Sequence, residues 1–254
     1  MVLENNYIIQ KFDPEVLREY DIRGVVNDNI NENTAYTIGR TFGFVVQSKT
    51  NSNKVVTGYD GRLTSPLLHK ALCVGLKDAG IEVIDVDMGP TPMIYFADYH
   101  YDSDAAIMVT GSHNPSEYNG FKFIIQNNSF FGEQIQELGA FIKSGKYENG
   151  CGKVKNIEIL NNYISRLLED YTGGDDLRVA WDPGNGATGE AVKLLTAQLP
   201  GQHILINSEI DGSFPSHHPD PTVPENLKEI QELVIKNSCD IGLSFDGDGD
   251  RIGV

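Results

Sequence analysis

The chain has 254 residues, 40% of them hydrophobic, enough to bury one or two substantial cores. A formal net charge of −16 argues against a nucleic-acid partner, which needs a basic face. The opening Met1-Val-Leu-Glu-Asn-Asn-Tyr7 lacks the basic start and apolar core of a signal peptide, and no later run is long enough to span a bilayer. A soluble cytoplasmic chain with no membrane partner is therefore expected.

Asp13-Pro14 has the pattern of a helix start, with Asp as N-cap and Pro in the first turn. It leads into Arg18-Glu-Tyr20-Asp-Ile-Arg23-Gly24, where spacing leaves two readings open: a charged connector, or Tyr20 and Arg23 aimed at a ligand. Asn33 is placed to cap a helix whose Ala35, Ile38, Phe42 and Val45 share one face. Lys54 to Thr57 reads as a strand, followed by Gly58-Tyr-Asp60-Gly61-Arg62. Ser65-Pro66 then starts a helix that buries Leu68, Leu72 and Leu76 and stops at Gly80. Ile81 to Val86 is a further strand, and Thr91-Pro92 a further helix start. This alternation indicates βαβ units and a largely parallel sheet, with ligands expected at the carboxyl ends of its strands.

The next strand, Ala105-Ala-Ile-Met-Val, stops abruptly in Thr110-Gly-Ser112-His113-Asn-Pro115. An apolar strand that delivers a hydroxyl to a small polar loop is one way to present a nucleophile; the plainer reading is a turn whose Ser and Asn satisfy its own backbone. Asn119-Gly120 is expected to turn the chain into a second apolar run, Phe121 to Ile125, which carries Lys122. A helix follows Gly132. The glycine-rich Ser144-Gly-Lys-Tyr-Glu-Asn-Gly-Cys-Gly152 then reads as a domain boundary, giving units 1–152 and 153–254.

In the second unit a helix carries Ile164, Leu167 and Leu168. Arg178 to Trp181 is a strand, Asp182-Pro-Gly-Asn-Gly186 a tight loop, Gly189 to Leu199 a helix, and His203 to Ile206 a strand. This repeats the order seen from Lys54 to Asp87 and predicts a duplicated α/β unit. His217-His218-Pro-Asp220-Pro invites a metal reading, but adjacent side chains in an extended segment point apart, so a proline-locked loop is expected. A helix over Pro224 to Lys236 leads to a last strand. That strand, Asp240-Ile-Gly-Leu-Ser-Phe245, ends in Asp246-Gly-Asp248-Gly-Asp250-Arg251. Carboxylates at alternate positions repel unless a hard divalent cation draws them together. An EF-hand is excluded, because Arg251 stands where that loop needs Gly and no closing Glu follows. An exposed acidic turn is the plainer alternative. Cys73, Cys151 and Cys239 lie far apart and outside any CxxC spacing, which predicts reduced thiols rather than a disulfide framework or a zinc site.

Together, Thr110-Gly-Ser-His-Asn-Pro115, Tyr118-Asn-Gly-Phe-Lys122 and Phe245-Asp-Gly-Asp-Gly-Asp-Arg251 resemble the α-D-phosphohexomutase superfamily. Arg18-Glu-Tyr-Asp-Ile-Arg-Gly24, Gly132-Glu-Gln-Ile-Gln136 and His217-His-Pro-Asp-Pro221 narrow the resemblance to its bacterial phosphomannomutase/phosphoglucomutase branch. It runs from about Phe12 to the last residue. Phosphoglucosamine mutases, which usually have Ala where Gly111 stands, match less well.

The resemblance implies two similar α/β domains with mixed, largely parallel sheets flanked by helices. It implies that Ser112 is the residue phosphorylated in the resting enzyme, and that Asp246, Asp248 and Asp250, with a phosphoserine oxygen of Ser112, hold Mg2+. Arg251 would contact the phosphoserine, and Lys122 and His113 would lie near the transferred group, with Lys122 favoured as acid/base. Tyr20 and Arg23 would border the substrate. The implied reaction interconverts hexose 1-phosphate and hexose 6-phosphate, of glucose or mannose, through a bound hexose 1,6-bisphosphate. Members of the family have four domains, so the resemblance covers an N-terminal half and implies absent sugar-binding and phosphate-binding domains. Little turnover is then expected unless the C-terminal half is supplied in trans. The alternative is a non-catalytic remnant that binds metal or phosphate or pairs with another chain.

Overall fold

Burial fixes the layout of the first sheet. A computed structural model describes residues 7–11, 13–50, 52–144, 147, 149–174 and 176–254. The amino-terminal stretch read for a signal peptide, and residues 145, 146 and 148 of the expected boundary, lie largely or wholly outside them. Every residue of the strand Ala105–Val109 is fully buried, so it must be central and covered on both faces. Ala105, Ile107 and Val109 face one apolar cluster, and Ala106 and Met108 face another.

In chain order the elements of this unit are β1 (Ile22–Val25), α1 (Glu32–Thr50), β2 (Lys54–Tyr59), α2 (Ser65–Asp78), β3 (Glu82–Met88), α3 (Thr91–His100), β4 (Ala105–Val109), β5 (Tyr118–Ile125), β6 (Asn128–Ser129), α4 (Glu133–Ser144) and β7 (Lys153–Asn156). The sheet runs β1-β5-β4-β2-β3-β7, with β6 paired to β5. Strands β4, β2, β3 and β7 are mutually parallel, whereas β5 is antiparallel to both β4 and β1. Helices α1 and α2 cover one face and α3 covers the other.

Four local expectations are corrected. Of the two readings left open for residues 18–24, the charged connector fails, because Ile22–Val25 is a strand that borrows its order from β5. Asn119 and Gly120 lie inside β5, and the chain reverses earlier: Asn114 N–H donates to Gly111 O (3.0 Å) and Tyr118 N–H to Pro115 O (3.0 Å). The cap of α1 is Asn31, whose Oδ1 accepts from Thr34 N at 3.0 Å; Asn33 instead accepts from Ile8 N. Finally, the first sheet continues past residue 152. The glycines there are close-approach positions, since a Cβ on Gly152 would stand 2.0 Å from Ile81 O. They seat the chain against the start of β3 so that β7 can pair with it.

The rest of the chain forms α5 (Leu160–Glu169), β8 (Arg178–Asp182), α6 (Gly189–Thr196), β9 (Gln202–Leu205), α7 (Lys228–Asn237), β10 (Ile241–Phe245) and β11 (Ile252–Gly253). Its sheet runs β11-β10-β8-β9, with only β11 antiparallel. That order, with its directions, is the same as β5-β4-β2-β3, so the duplication expected from element order is present in the topology. The core here is smaller: Val179, Trp181 and Val192, with Trp181 stacked on Phe245 at 6.3 Å. The helix read through Ile164, Leu167 and Leu168 is α5; Ile164 is buried and Leu167 is 38% exposed.

His217 turns both ring nitrogens to protein oxygens. Its Nε2 meets Asp182 Oδ2 at 2.9 Å and its Nδ1 meets His218 O at 3.0 Å. The bond to Asp182 outweighs burial and raises the imidazole above its usual value, as expected of a ring that donates from both nitrogens. Among the described residues no helix is long and apolar enough to cross a membrane.

Asp98, near the end of α3, is fully buried; Oδ1 accepts from Ser103 Oγ and Oδ2 has no partner. Burial lifts this carboxyl to about 6, and the Ser103 bond only partly opposes the shift. A carboxyl raised in the folded state favours folding while neutral; that contribution is complete below the ordinary value of 3.8 and lost as pH rises through about 6. Asp98→Asn does not titrate, so its stability relative to the parent should improve by on the order of 1–3 kcal/mol between about pH 4 and about pH 7. Urea unfolding of both chains across that range checks this, and a constant difference would contradict it.

Candidate active site

Ser112 is delivered by the end of β4 and fixed by two buried residues of the β2–α2 loop, Asp60 and Arg62. Asp60 Oδ2 accepts from Thr110 Oγ1 (2.8 Å) and Gly111 N (3.2 Å), and Thr110 Oγ1 in turn accepts from Ser112 N (2.7 Å). Arg62, 1% exposed, spends its guanidinium on the same loop. Its Nη1 donates to Pro115 O (2.7 Å) and Tyr118 O (3.0 Å), its Nη2 to Ser112 O (2.8 Å) and Asn114 O (2.7 Å), and its Nε to Asp60. These bonds hold Ser112 at φ +51°, a left-handed conformation that few non-glycine residues adopt without such support. The Phe214 ring, from the second unit, lies 5.2 Å from the Arg62 guanidinium.

The aspartate loop follows β10, the strand that matches β4 in the duplicated topology. Asp246 and Asp248 are fully buried and Asp250 is exposed; one oxygen from each lies within 4.8 Å of the others. Arg251 folds back onto Asp246, with its backbone N at 3.0 Å from Oδ1 and its Nη2 at 2.7 Å from Oδ2. Lys122 Nζ reaches Asp248 Oδ2 and Asp250 Oδ2, both at 2.6 Å. Thr91, at the start of α3, donates its hydroxyl to Asp248 Oδ2 and its N–H to Asp248 O (2.8 Å). Gly247 is obligatory here, because a Cβ would stand 2.5 Å from Ser112 O. The two loops are stacked backbone to backbone.

This stacking brings Ser112 Oγ to 3.0 Å from Asp246 Oδ2 and 3.1 Å from Arg251 Nη2. His113 Nδ1 is 3.4 Å from the same hydroxyl and accepts from Arg251. Burial, reinforced by the Asp248 and Asp250 charges, raises Asp246 to about 7. For Asp248 burial works in the same direction, but the Lys122 charge and hydrogen bond win and lower it. Lys122 is the reciprocal case: burial opposes its charge, the two carboxylates outweigh burial, and its ammonium is held well above the usual range. His113 is lowered, by burial first and then by Arg251 and Arg23, and so is neutral.

Above these groups opens a cleft of about 550 Å³ that Tyr20, Arg23, Ser112, His113, Lys122, Asp250 and Arg251 all line. Tyr20 stands 75% exposed at the rim, its ring 6.3 Å from Phe131. Arg23 bonds to Asn114 Oδ1 and Asp21, and its buried Nε has no partner. Asp246 and Asp248 lie behind this lining, bonded to Ser112 and Lys122, so all nine residues singled out in the sequence converge. Asp60, Arg62 and Thr91 went unassigned. The only signal for them was an Asp-Gly-Arg loop at a strand's carboxyl end and a helix-starting Thr, both common in α/β chains.

Residues 14–148 match the family model described as phosphoglucomutase/phosphomannomutase, alpha/beta/alpha domain I, and residues 161–254 match alpha/beta/alpha domain II. The chain belongs to this family. It is 44% identical over 240 residues to a phosphomannomutase/phosphoglucomutase of Pseudomonas putida, covering 94% of this chain and 51% of that protein. It is 37% identical over 242 residues to a phosphoglucomutase of Neisseria gonorrhoeae, covering 94% and 52%. A crystal structure of a phosphoglucomutase/phosphomannomutase family protein from Burkholderia thailandensis superposes with a TM-score of 0.90 at 38% identity, over 95% of this chain and 54% of that one. The chain spans about half the length of these relatives and is homologous to the N-terminal half of the bacterial phosphomannomutase/phosphoglucomutases.

The Arg62 fork generates a sharp expectation. Arg62→Lys keeps the charge but cannot reach four carbonyls at once. It should cost on the order of 2–4 kcal/mol in denaturant unfolding and speed amide exchange at Ser112 and Tyr118. Unchanged stability and exchange would show that the loop holds its shape without the clamp.

Proposed function

We propose that this chain carries the phosphoryl-transfer centre of a phosphohexomutase, with Ser112 as the residue that bears and donates the phosphoryl group. The observation that carries the reading is the 3.0 Å approach of Ser112 Oγ to Asp246 Oδ2 across 134 positions of sequence, beneath a cleft lined by cations in a strongly acidic chain. An exposed acidic turn would not be buried, and a turn serine would not be held at positive φ against a second domain's loop.

The aspartates fit a divalent cation. Asp248 Oδ1 is buried with no partner, the donor set is all oxygen, and Lys122 is the cation that bridges Asp248 and Asp250. Asp246, Asp248 and Asp250, joined by an oxygen on Ser112, would hold Mg2+, which supplies charge neutralisation at the phosphoryl oxygens. Arg251, already bonded to Ser112 Oγ, forks onto a phosphate there. Arg23, with its unpartnered Nε, and Tyr20 at the rim take the substrate side. Lys122 is the proposed proton carrier in preference to His113: its ammonium sits in the cleft, held only by carboxylates that a bound ion would engage instead. His113 is committed to Arg251.

In the proposed cycle, the P–O bond at Ser112 breaks as one forms to the free hydroxyl of a hexose 1- or 6-phosphate, and that hydroxyl's proton ends on the freed Ser112 Oγ, relayed by Lys122, which gives up one ammonium proton as it takes up another. The hexose 1,6-bisphosphate so formed returns its other phosphoryl group to Ser112. Relatives named for mannose and for glucose phosphates match comparably, so both sugars belong to the proposed substrate class. Turnover of free hexose phosphates is proposed to need, in trans, the half of the relatives that lies outside these 254 residues.

Intact mass before and after incubation with glucose 1,6-bisphosphate and Mg2+ tests the centre. One added phosphoryl group, absent in Ser112→Ala, is expected. No gain, or a gain that survives Ser112→Ala, overturns the assignment.

A further inference from the structure

A second cluster of ligating side chains lies away from the cleft, between α2 and the sheet. His69 and Cys73 stand at i and i+4 on α2, one above the other on its buried face, and Asp85 reaches them from β3. We propose that His69 Nε2, Cys73 Sγ and Asp85 Oδ1 form a metal site for zinc, independent of the aspartate loop.

Geometry carries the assignment. The imidazole Nε2 is 3.5 Å from Cys73 Sγ and 3.5 Å from Asp85 Oδ1, and all three ligand atoms lie within 4.8 Å of one another. Zinc bond lengths of about 2.0–2.3 Å place neighbouring tetrahedral ligands about 3.3–3.7 Å apart, so both edges at the imidazole already have the required length. Three protein ligands leave a fourth position. Thr57 Oγ1 lines it, 3.0 Å from Nε2 and 3.5 Å from Sγ.

Donor chemistry and charge point the same way. An imidazole, a thiolate and one carboxylate select zinc over magnesium, which requires oxygen ligands. A neutral imidazole, a thiolate, a carboxylate and Zn2+ sum to zero charge, the combination an interior site tolerates best. His69 is 4% and Cys73 6% exposed, and burial keeps the imidazole neutral and lifts the thiol to about 12. Binding therefore breaks the S–H bond, forms S–Zn and releases that proton to solvent. An outer shell is in place: Tyr59 packs its ring 4.8 Å from the imidazole, and Asp87 N–H donates to Asp85 Oδ1 at 2.9 Å. The site would tie α2 to β3 directly behind the loop that carries Asp60 and Arg62. No CxxC pattern announces it, because its ligands are one helical turn and one strand apart.

Co2+ is the probe, in a Cys151→Ser, Cys239→Ser background where Cys73 is the single thiol. With the aspartate loop kept occupied by excess Mg2+, the expected result is one Co2+ per chain with thiolate-to-cobalt charge-transfer absorption and displacement by Zn2+, together with release of the thiol proton. Asp248→Asn should leave it unchanged, whereas Cys73→Ser, His69→Gln and Asp85→Asn should each abolish the band while retaining the parent's metal-free circular dichroism. Absence of the band in the folded background protein overturns the site without reference to any variant. So does a band that persists in both His69→Gln and Asp85→Asn, or one lost in Asp248→Asn.

Discussion

Three carboxylates gathered on one turn are the constraint to which the rest of the molecule answers. With oxygens within 4.8 Å of one another, each ionised pair repels by about 3–4 kcal/mol at an effective dielectric of about 20. Three such pairs approach the whole net stability of a domain, roughly 5–15 kcal/mol. The loop survives because cations and hydrogen-bond donors meet it: Arg251 on Asp246, Lys122 shared by Asp248 and Asp250, and the Thr91 hydroxyl at the α3 start on Asp248. One buried oxygen, Asp248 Oδ1, remains unanswered, and it belongs to the set offered to a metal ion. Two of the three compensating groups, Lys122 and Thr91, come from the first domain. The same interaction therefore holds the domains together and assembles the chemistry.

Duplication explains why the parts arrive in one place. Strand β4 ends in the serine loop and β10 in the aspartate loop, and each is flanked by its parallel neighbour and its antiparallel partner in the same order. Loops at the carboxyl ends of parallel strands face outward from the sheet. Two such units set end to end confront their loops with each other, and the glycine at 247 lets them touch through backbone. Arg62 then makes the serine loop stiff enough to be met. A buried guanidinium is costly to desolvate, and here four carbonyls of the loop and Asp60 offset that cost.

Much of this was legible in the sequence, for identifiable reasons. Residues 105–109 announce a central strand because an unbroken apolar run has nowhere else to go. The aspartates at alternate positions announce a turn that needs positive charge drawn to it, and here Arg251 and Lys122 supply it. What stayed hidden depended on partners distant in the chain. Ile22–Val25 carries an Arg and a Gly and gains strand order only from β5. Asn119-Gly120 looks like a turn, but its position in β5 is set by the tight reversal already made at Pro115. The glycines at 150 and 152 look like a linker, but they are small so that the chain can lie against β3. Arg62 and the His69–Cys73–Asp85 cluster were invisible for the same reason: pattern reports the residue, and only the fold reports its neighbours.

Thermal unfolding as a function of Mg2+ concentration, for the parent chain beside Asp248→Asn, tests the central balance most directly. If the aspartate loop is a cation site that locks the two domains, the stability of the parent rises with Mg2+ as RT ln(1 + [Mg2+]/Kd), its midpoint climbing logarithmically above Kd, and Asp248→Asn shows no such rise. Equal responses in the two chains, or none in the parent, would mean that Lys122 and Arg251 already complete the loop and that the aspartates are structural.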